Sequence, residues 1–218
     1  DRSLEKIASG RSINRAADDA SGMVIADSLN NAALSMGQRS RNASDEISML
    51  QIRESALGQA VGIIQGIGEK AVQAANDTQT PETRRAIQED VGKSIQALTD
   101  IYEGTTFNGK PLLSDVPGLS ELADLNLSSR EGAEAAQEAV GAALDVISTS
   151  RSDTGSRQNQ LEAEISNLGN QAVAARSSES QIRDVDIAEE VMNMKRLDLL
   201  KKTSAFAQSK ANIQGQRV

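Results

Sequence analysis

Between Met23 and Asn76 no proline interrupts the chain, and every seventh residue from Leu29 is apolar: Leu29, Met36, Ala43, Leu50, Leu57, Ile64 and Ala71. A companion column at Ala33, Ile47, Val61 and Ala75 is broken by Ser40, Glu54 and Gly68. An apolar repeat of seven is the seam of a coiled coil. It predicts one long helix, and 1.5 Å of rise per residue would carry it roughly 80 Å.

The stretch TQTPETRRAIQEDV predicts a stop and a restart, with Thr80 as N-cap, Pro81 in the first helical position and Glu82 in the first turn. Ile87, Val91, Ile95, Leu98 and Ile101 then form the stripe of a second helix running to about Tyr102. In TTFNGKPLL, Asn108 and Gly109 sit between Phe107 and Leu112, which predicts a type I′ hairpin with Pro111 on an edge. After a short connection at 115–128, a third segment starts at Ser129 and repeats at Val140, Ile147, Thr154, Leu161, Leu168 and Ala175, with Leu144, Ile165 and Ala172 alongside. The polar run STSRSDTGSRQNQ is expected to weaken its middle. Asp186, with Glu189 three residues later, resembles a capping box, and Met192, Leu199, Phe206 and Ile213 carry a last helix to the end. The pattern predicts an all-α protein, an elongated antiparallel coiled-coil helical bundle with a small β-hairpin.

Composition supports that picture. Among 218 residues only Tyr102, Phe107 and Phe206 are aromatic, too few rings for the centre of a compact domain of this length. Histidine and cysteine are absent, which removes the usual proton shuttle, the thiolate nucleophile and the common zinc ligands. These features argue for a non-enzyme with no cofactor. A net charge of −8 argues against nucleic acid as the main partner. No apolar run is long enough for membrane insertion, no signal peptide opens the chain, and Asp1 begins within a helical pattern, so a fragment or processed chain is expected.

Three stretches carry a resemblance across nearly the whole chain: LEKIASGRSINRAADDASGMVIAD; QAANDTQTPETRRAIQEDV with TTFNGKPLL; and SQIRDVDIAEEVMNM. In order and separation they are similar to the signature regions of bacterial flagellin, the flagellar filament subunit. The resemblance implies residues 1–22 as an N-terminal helix remnant and connecting turn, 23–180 as a helical rod domain with its hairpin near 105–113, and 181–218 as a C-terminal amphipathic helix of the filament core region. Residues 115–128 leave no room for the family's variable outer domain, so the chain reads as the conserved rod region with truncated termini. The implied function is a self-assembling structural subunit of the filament for swimming motility. It would be secreted through the flagellar type III secretion apparatus, with other subunits, an export chaperone, and filament cap and hook-associated proteins as partners. The alternative is the hook-filament junction protein, which is disfavoured because SGRSINRAADDASGM and SQIRDVDIAEE follow the flagellin form closely. A cytoplasmic signalling hairpin is a rival of another class, but it would show one long pattern converging on a tip turn.

Candidate site residues fall into six groups. Asp18 and Asp19 are expected to accept N–H groups near the start of the long helix, because adjacent helical residues diverge by about 100° and cannot converge on one reacting atom. Asp184, Asp186, Glu189 and Glu190 lack the register of a calcium loop and are expected to cap and face solvent. Many flagellins are recognised by a Toll-like receptor through a segment resembling Gln-Arg-x-Arg-Glu-Leu-Ala-Val-Gln. The matching residues are Gln65, Gly66, Ile67, Gly68, Glu69, Lys70, Ala71, Val72 and Gln73, so both arginines are glycine, the leucine is lysine, and recognition is predicted to be weak. On the last helix, Ile187, Val191, Met192, Leu199, Phe206 and Ile213 form an export-chaperone or filament-core face flanked by Lys195, Arg196, Lys201, Lys202 and Lys210. The rod seam comprises Leu29, Met36, Leu50, Leu57, Ile64, Val140, Ile147, Leu161 and Leu168. Gly58, Gly62 and Gly66 recur every fourth residue away from that seam, either as a close approach by a neighbouring helix or subunit or as a tolerated soft spot.

Overall fold

The computed structural model describes residues 2–116, 122 and 124–215, without the side chains of 211 and 213–215. In order the elements are α1 (Arg2–Ser9), α2 (Ala20–Ala75), α3 (Pro81–Gly104), β1 (Thr106–Phe107), β2 (Lys110–Pro111), α4 (Arg130–Arg183) and α5 (Ile187–Gly215). The chain folds into two compact units, Arg41–Ile165 and Asp1–Ser40 with Ser166–Val218.

In the first of these, α2 and α4 run antiparallel, because partner numbers fall as residue numbers rise: Glu46 pairs with Arg157, Glu54 with Arg151 and Asp77 with Arg130. Leu57, Ile64, Ile67, Ala71 and Ala74 of α2, Val91 and Leu98 of α3, and Ala133, Ala136, Val140, Ala143 and Ile147 of α4 share one buried cluster. Thr80 caps α3 by accepting from the Thr83 N–H, and Pro81 occupies its first position, as predicted. Arg84 then closes the end of α2 by donating to the carbonyls of Ala74 and Asn76 at 2.9 and 3.1 Å. These are carbonyls a helix terminus otherwise leaves unpaired.

The hairpin pairs Thr106 with Pro111 and Phe107 with Lys110, and its turn residues Asn108 (φ 51°) and Gly109 (φ 77°) both lie in the left-handed region that type I′ requires. Beyond it Leu112, Leu113 and Val116 are buried, whereas Pro117 and Gly118 of the expected connection lie outside the described residues. Gln88 holds the next segment from both sides, donating to the Leu125 carbonyl and accepting the Leu127 N–H.

The other unit pairs the start of α2 with the end of α4 and packs α1 on α5. Ala26, Ala33, Leu168, Ala175 and Ile13 are its buried apolar side chains among the described residues. Helix α2 begins at Ala20, three residues before the expected Met23, because Asp19 caps it: the carboxylate accepts from the Gly22 N–H at 2.9 Å and the carbonyl from Met23 at 3.1 Å. Helix α3 ends at Gly104 rather than Tyr102. Helix α4 runs unbroken through the polar stretch 148–160. Arg151 and Arg157 there bind Glu54 and Glu46, Ser150 accepts from Arg53 at 2.8 Å, and Thr154 turns its hydroxyl back to the Ser150 carbonyl.

Candidate assembly and recognition surfaces

The arginine- and aspartate-rich stretch after α1 is a joint built on backbone contacts. Gly10 ends α1 at φ 69°, and an antiparallel bridge joins Arg11 to Asp184, with the Ser12 N–H donating to the Arg183 carbonyl at 2.7 Å and Val185 donating to Gly10 at 3.1 Å. Asp18 accepts the N–H groups of Arg15 and Asn14 at 3.0 and 3.2 Å. Its neighbour caps α2. The two carboxylates therefore serve different backbone segments and share no substrate-sized site. Hydrogen bonds to the ionised form hold both below the ordinary aspartate range, chiefly that from Arg15 for Asp18 and that from Gly22 for Asp19.

Gly22 packs closely against two side chains. A Cβ there would crowd Asp19 Oδ2 and lie 2.8 Å from Ile13 Cδ1, so a side chain at this position would push the capping carboxylate and Ile13 aside. Arg183 adds a side-chain tie, its guanidinium reaching Asp27 at 3.0 Å while only 14% exposed. Asp186 caps α5 by accepting from Ala188 and Glu189 at 2.9 and 3.1 Å, and Asp184 accepts from the Ser180 hydroxyl. Among the described residues no group of three or more acids is placed to hold a metal.

The segment Gln65 to Gln73 lies on α2 with its sides distinct. Ile67 and Ala71 are buried, Gln65, Glu69, Val72 and Gln73 face outward, and Lys70 is tied to Asp90 of α3. Gly66 is open, as are Gly58 and Gly62, since a Cβ on any of them meets nothing within 4 Å. No other described part of the chain comes within 4 Å of such a Cβ, which leaves a neighbouring subunit or a tolerated soft spot as the two readings of these glycines. Gly68 differs, because a Cβ there would sit 3.1 Å from Val140 Cγ1.

On α5, Ile187, Met192, Leu199 and Phe206 are exposed, Met192, Leu199 and Phe206 to about two thirds, and Val191 is half-buried. The Ile213 side chain lies outside the described residues. Helix α1 packs on a different side of α5, leaving a cleft lined by Ser3, Leu4, Met194, Leu197, Asp198 and Lys201. Leu200 widens the exposed apolar strip, and the Lys210 ammonium lies 5.7 Å from the centre of the Phe206 ring.

Of the seam residues, Leu57, Ile64, Val140, Ile147, Leu161 and Leu168 are buried, whereas Leu29, Met36 and Leu50 are half-buried. Near Leu29 and Met36 the buried positions are Ala26 and Ala33, whose small side chains bring the two backbones close and leave larger neighbours at the flank. Leu50 falls in the stretch 44–55, where the helix pairs Glu46, Arg53 and Glu54 with polar partners instead of burying an apolar side chain.

A helical array of this kind, with two long antiparallel helices, a capped third and a tight hairpin, and with a large apolar strip left uncovered, defines a structural protein whose surfaces serve other chains. Comparison with known proteins names the family. Residues 1–117 match the bacterial flagellin N-terminal helical region and residues 137–218 the bacterial flagellin C-terminal helical region, with only 118–136 between them. A flagellin of Halalkalibacterium halodurans is 32% identical over all of this chain and 89% of its own length. Flagellin FlaB1 of Treponema pallidum is 28% identical over the whole chain and 90% of its own. Flagellin B of Helicobacter pylori is 49% identical over 51% of the chain, which covers 22% of that longer protein. The crystal structure of Bacillus cereus flagellin superposes with a TM-score of 0.54 at 22% identity, covering 59% of this chain and 88% of that one. The chain belongs to the bacterial flagellin family, has no outer domain between its two matched regions, and is a filament structural subunit that associates with other flagellin subunits.

Proposed function

We propose that the exposed strip of α5 is the surface covered in turn by an export chaperone and by neighbouring subunits in the filament core, with 1–22 and 181–218 acting as core segments and 23–180 as the rod. The observation that carries this reading is the exposure of Met192, Leu199, Leu200 and Phe206 on a helix that packs α1 elsewhere. Contiguous apolar surface of this kind marks an interaction site. Covering it stabilises the assembly by about 1.5–3 kcal/mol for each large side chain fully buried. Lys195, Arg196, Lys202 and Lys210 flank the strip, whereas Lys201 lines the cleft with α1, so an acidic partner surface complements the strip.

Export through the flagellar type III secretion apparatus, with cap and hook-associated proteins meeting the same ends, completes the reading. The test is Leu199→Asp with Phe206→Asp. Because both side chains are exposed, the isolated chain should keep its helicity while filament growth and chaperone binding are lost. Filaments of normal length from the double variant would refute the core assignment, and unaltered chaperone affinity would remove the chaperone from it.

The segment Gln65 to Gln73 is proposed as a poor receptor ligand. Glycine at 66 and 68 cannot supply the forked hydrogen bonds and stem contacts of arginine.

A further inference from the structure

We propose that Asn108 is a site of spontaneous covalent modification, a deamidation switch at the tip of the hairpin. Asn108 is the only one of the 12 asparagines followed by glycine. It is exposed, its side-chain amide has no hydrogen-bond partner among the described residues, and a Cβ on Gly109 would meet nothing within 4 Å. Glycine places no side chain over the nitrogen that must attack the Asn108 side-chain carbonyl.

The chemistry balances without an oxidant or reductant. The Gly109 backbone nitrogen, losing its proton to solvent base, bonds to Asn108 Cγ and closes a five-membered succinimide. The bond from Cγ to the side-chain nitrogen breaks, and that nitrogen leaves as ammonia. Water then opens the ring at either carbonyl, giving aspartate or isoaspartate.

Ring closure requires the peptide between 108 and 109 to rotate out of its type I′ geometry, and the hairpin resists this weakly. Each strand has two residues, and the outer pair, Thr106 with Pro111, is one that an antiparallel ladder leaves without hydrogen bonds. Short ladders at a surface open at little cost. The two products differ in consequence. Aspartate keeps an Asp-Gly turn, which also suits type I′. Isoaspartate adds a backbone methylene, shifts the register of Lys110 and Pro111, and pulls on Leu112, which donates to the Thr105 carbonyl at 3.0 Å. Either product adds one negative charge beside Lys110.

The full chain is incubated in mildly alkaline buffer and followed by intact mass and peptide mapping, alongside a free peptide spanning Thr105 to Leu113. A gain of one mass unit confined to position 108, isoaspartate in excess, and no gain in N108D are expected. The isoaspartyl fraction should melt below the starting chain, whereas N108D should match it. An unconverted Asn108 after an incubation that converts the free peptide overturns the proposal, as does a mass gain that persists in N108D.

Discussion

Gly58, Gly62 and Gly66 lie in the interior of α2, and nothing in the described chain would touch a methyl group on any of them. Glycine in a helix interior costs about 0.8–1.0 kcal/mol relative to alanine, because more backbone freedom is lost on folding. Each single alanine variant should therefore stabilise the isolated chain by about that amount. The three sites share no partners, so the triple variant should gain on the order of 2–3 kcal/mol. For a chain of this size that is a rise of roughly 5–10 °C in the midpoint of the transition that unfolds Arg41–Ile165. Gly68→Ala is the internal control: its Cβ meets Val140 at 3.1 Å, so the propensity gain is opposed by crowding and the variant should fall short of the other three. The assay is thermal and urea unfolding by circular dichroism, followed by filament growth from the same samples. Stabilised chains that no longer polymerise would show that a neighbouring subunit occupies the glycine edge, and stabilised chains that polymerise normally would make it a soft spot. The reasoning is refuted if none of the three substitutions raises the midpoint.

Three further outcomes are expected. Arg84→Met removes two hydrogen bonds from a charged donor to the end of α2 and should cost about 2 kcal/mol in urea unfolding, with faster amide exchange near Asn76; an unchanged midpoint and exchange rate would sink it. The pKa values of Asp18 and Asp19 are depressed in the folded chain, so the stability they contribute is fully present above the ordinary aspartate value of about 3.9 and is lost as pH falls through the depressed values. Protease cleavage between Gly10 and Ala20 should therefore rise below about pH 4, and in a chain carrying Asn at both positions it should lose that pH dependence. In a receptor reporter assay the chain should activate weakly, since losing an arginine anchor typically removes about 2 kcal/mol or roughly 30-fold in affinity; Gly66→Arg should recover more signal than Gly68→Arg, whose side chain must displace Val140. Activation equal to that of an arginine-bearing flagellin would contradict this.

The parts of the fold legible in the sequence were those written in local chemistry. Asn108-Gly109, Thr80-Pro81 and Asp186 each state their own backbone requirement within four residues, and the turn and both N-caps form, although among the described residues Glu189 returns no side-chain bond to complete a capping box. The heptad rows located both long helices and their buried faces over 56–71 and 133–147. They placed Leu29 and Met36 at the seam because periodicity ranks large side chains first, whereas close packing of two helices favours the alanines beside them. The polar stretch of α4 stays helical with partners about 100 residues away, in Glu46, Arg53 and Glu54, which no local pattern reveals. The joint between 10–12 and 183–185 had no sequence signal, since main-chain hydrogen bonds do not select side chains. On α5, spacing found the open apolar column, and basic flanking residues gave it a polarity, but the separate side used by α1 emerged only in three dimensions.

Gln88 uses both ends of one amide, giving a proton to Leu125 and taking one from Leu127. Such a group can be read in a single orientation, so it acts as a keyed fastener between α3 and the strand of chain entering α4. A carboxylate of the same outline would turn a lone pair toward the Leu125 oxygen and be repelled until acid supplied the missing hydrogen. One atom thus separates a permanent clip from one that closes only in acid.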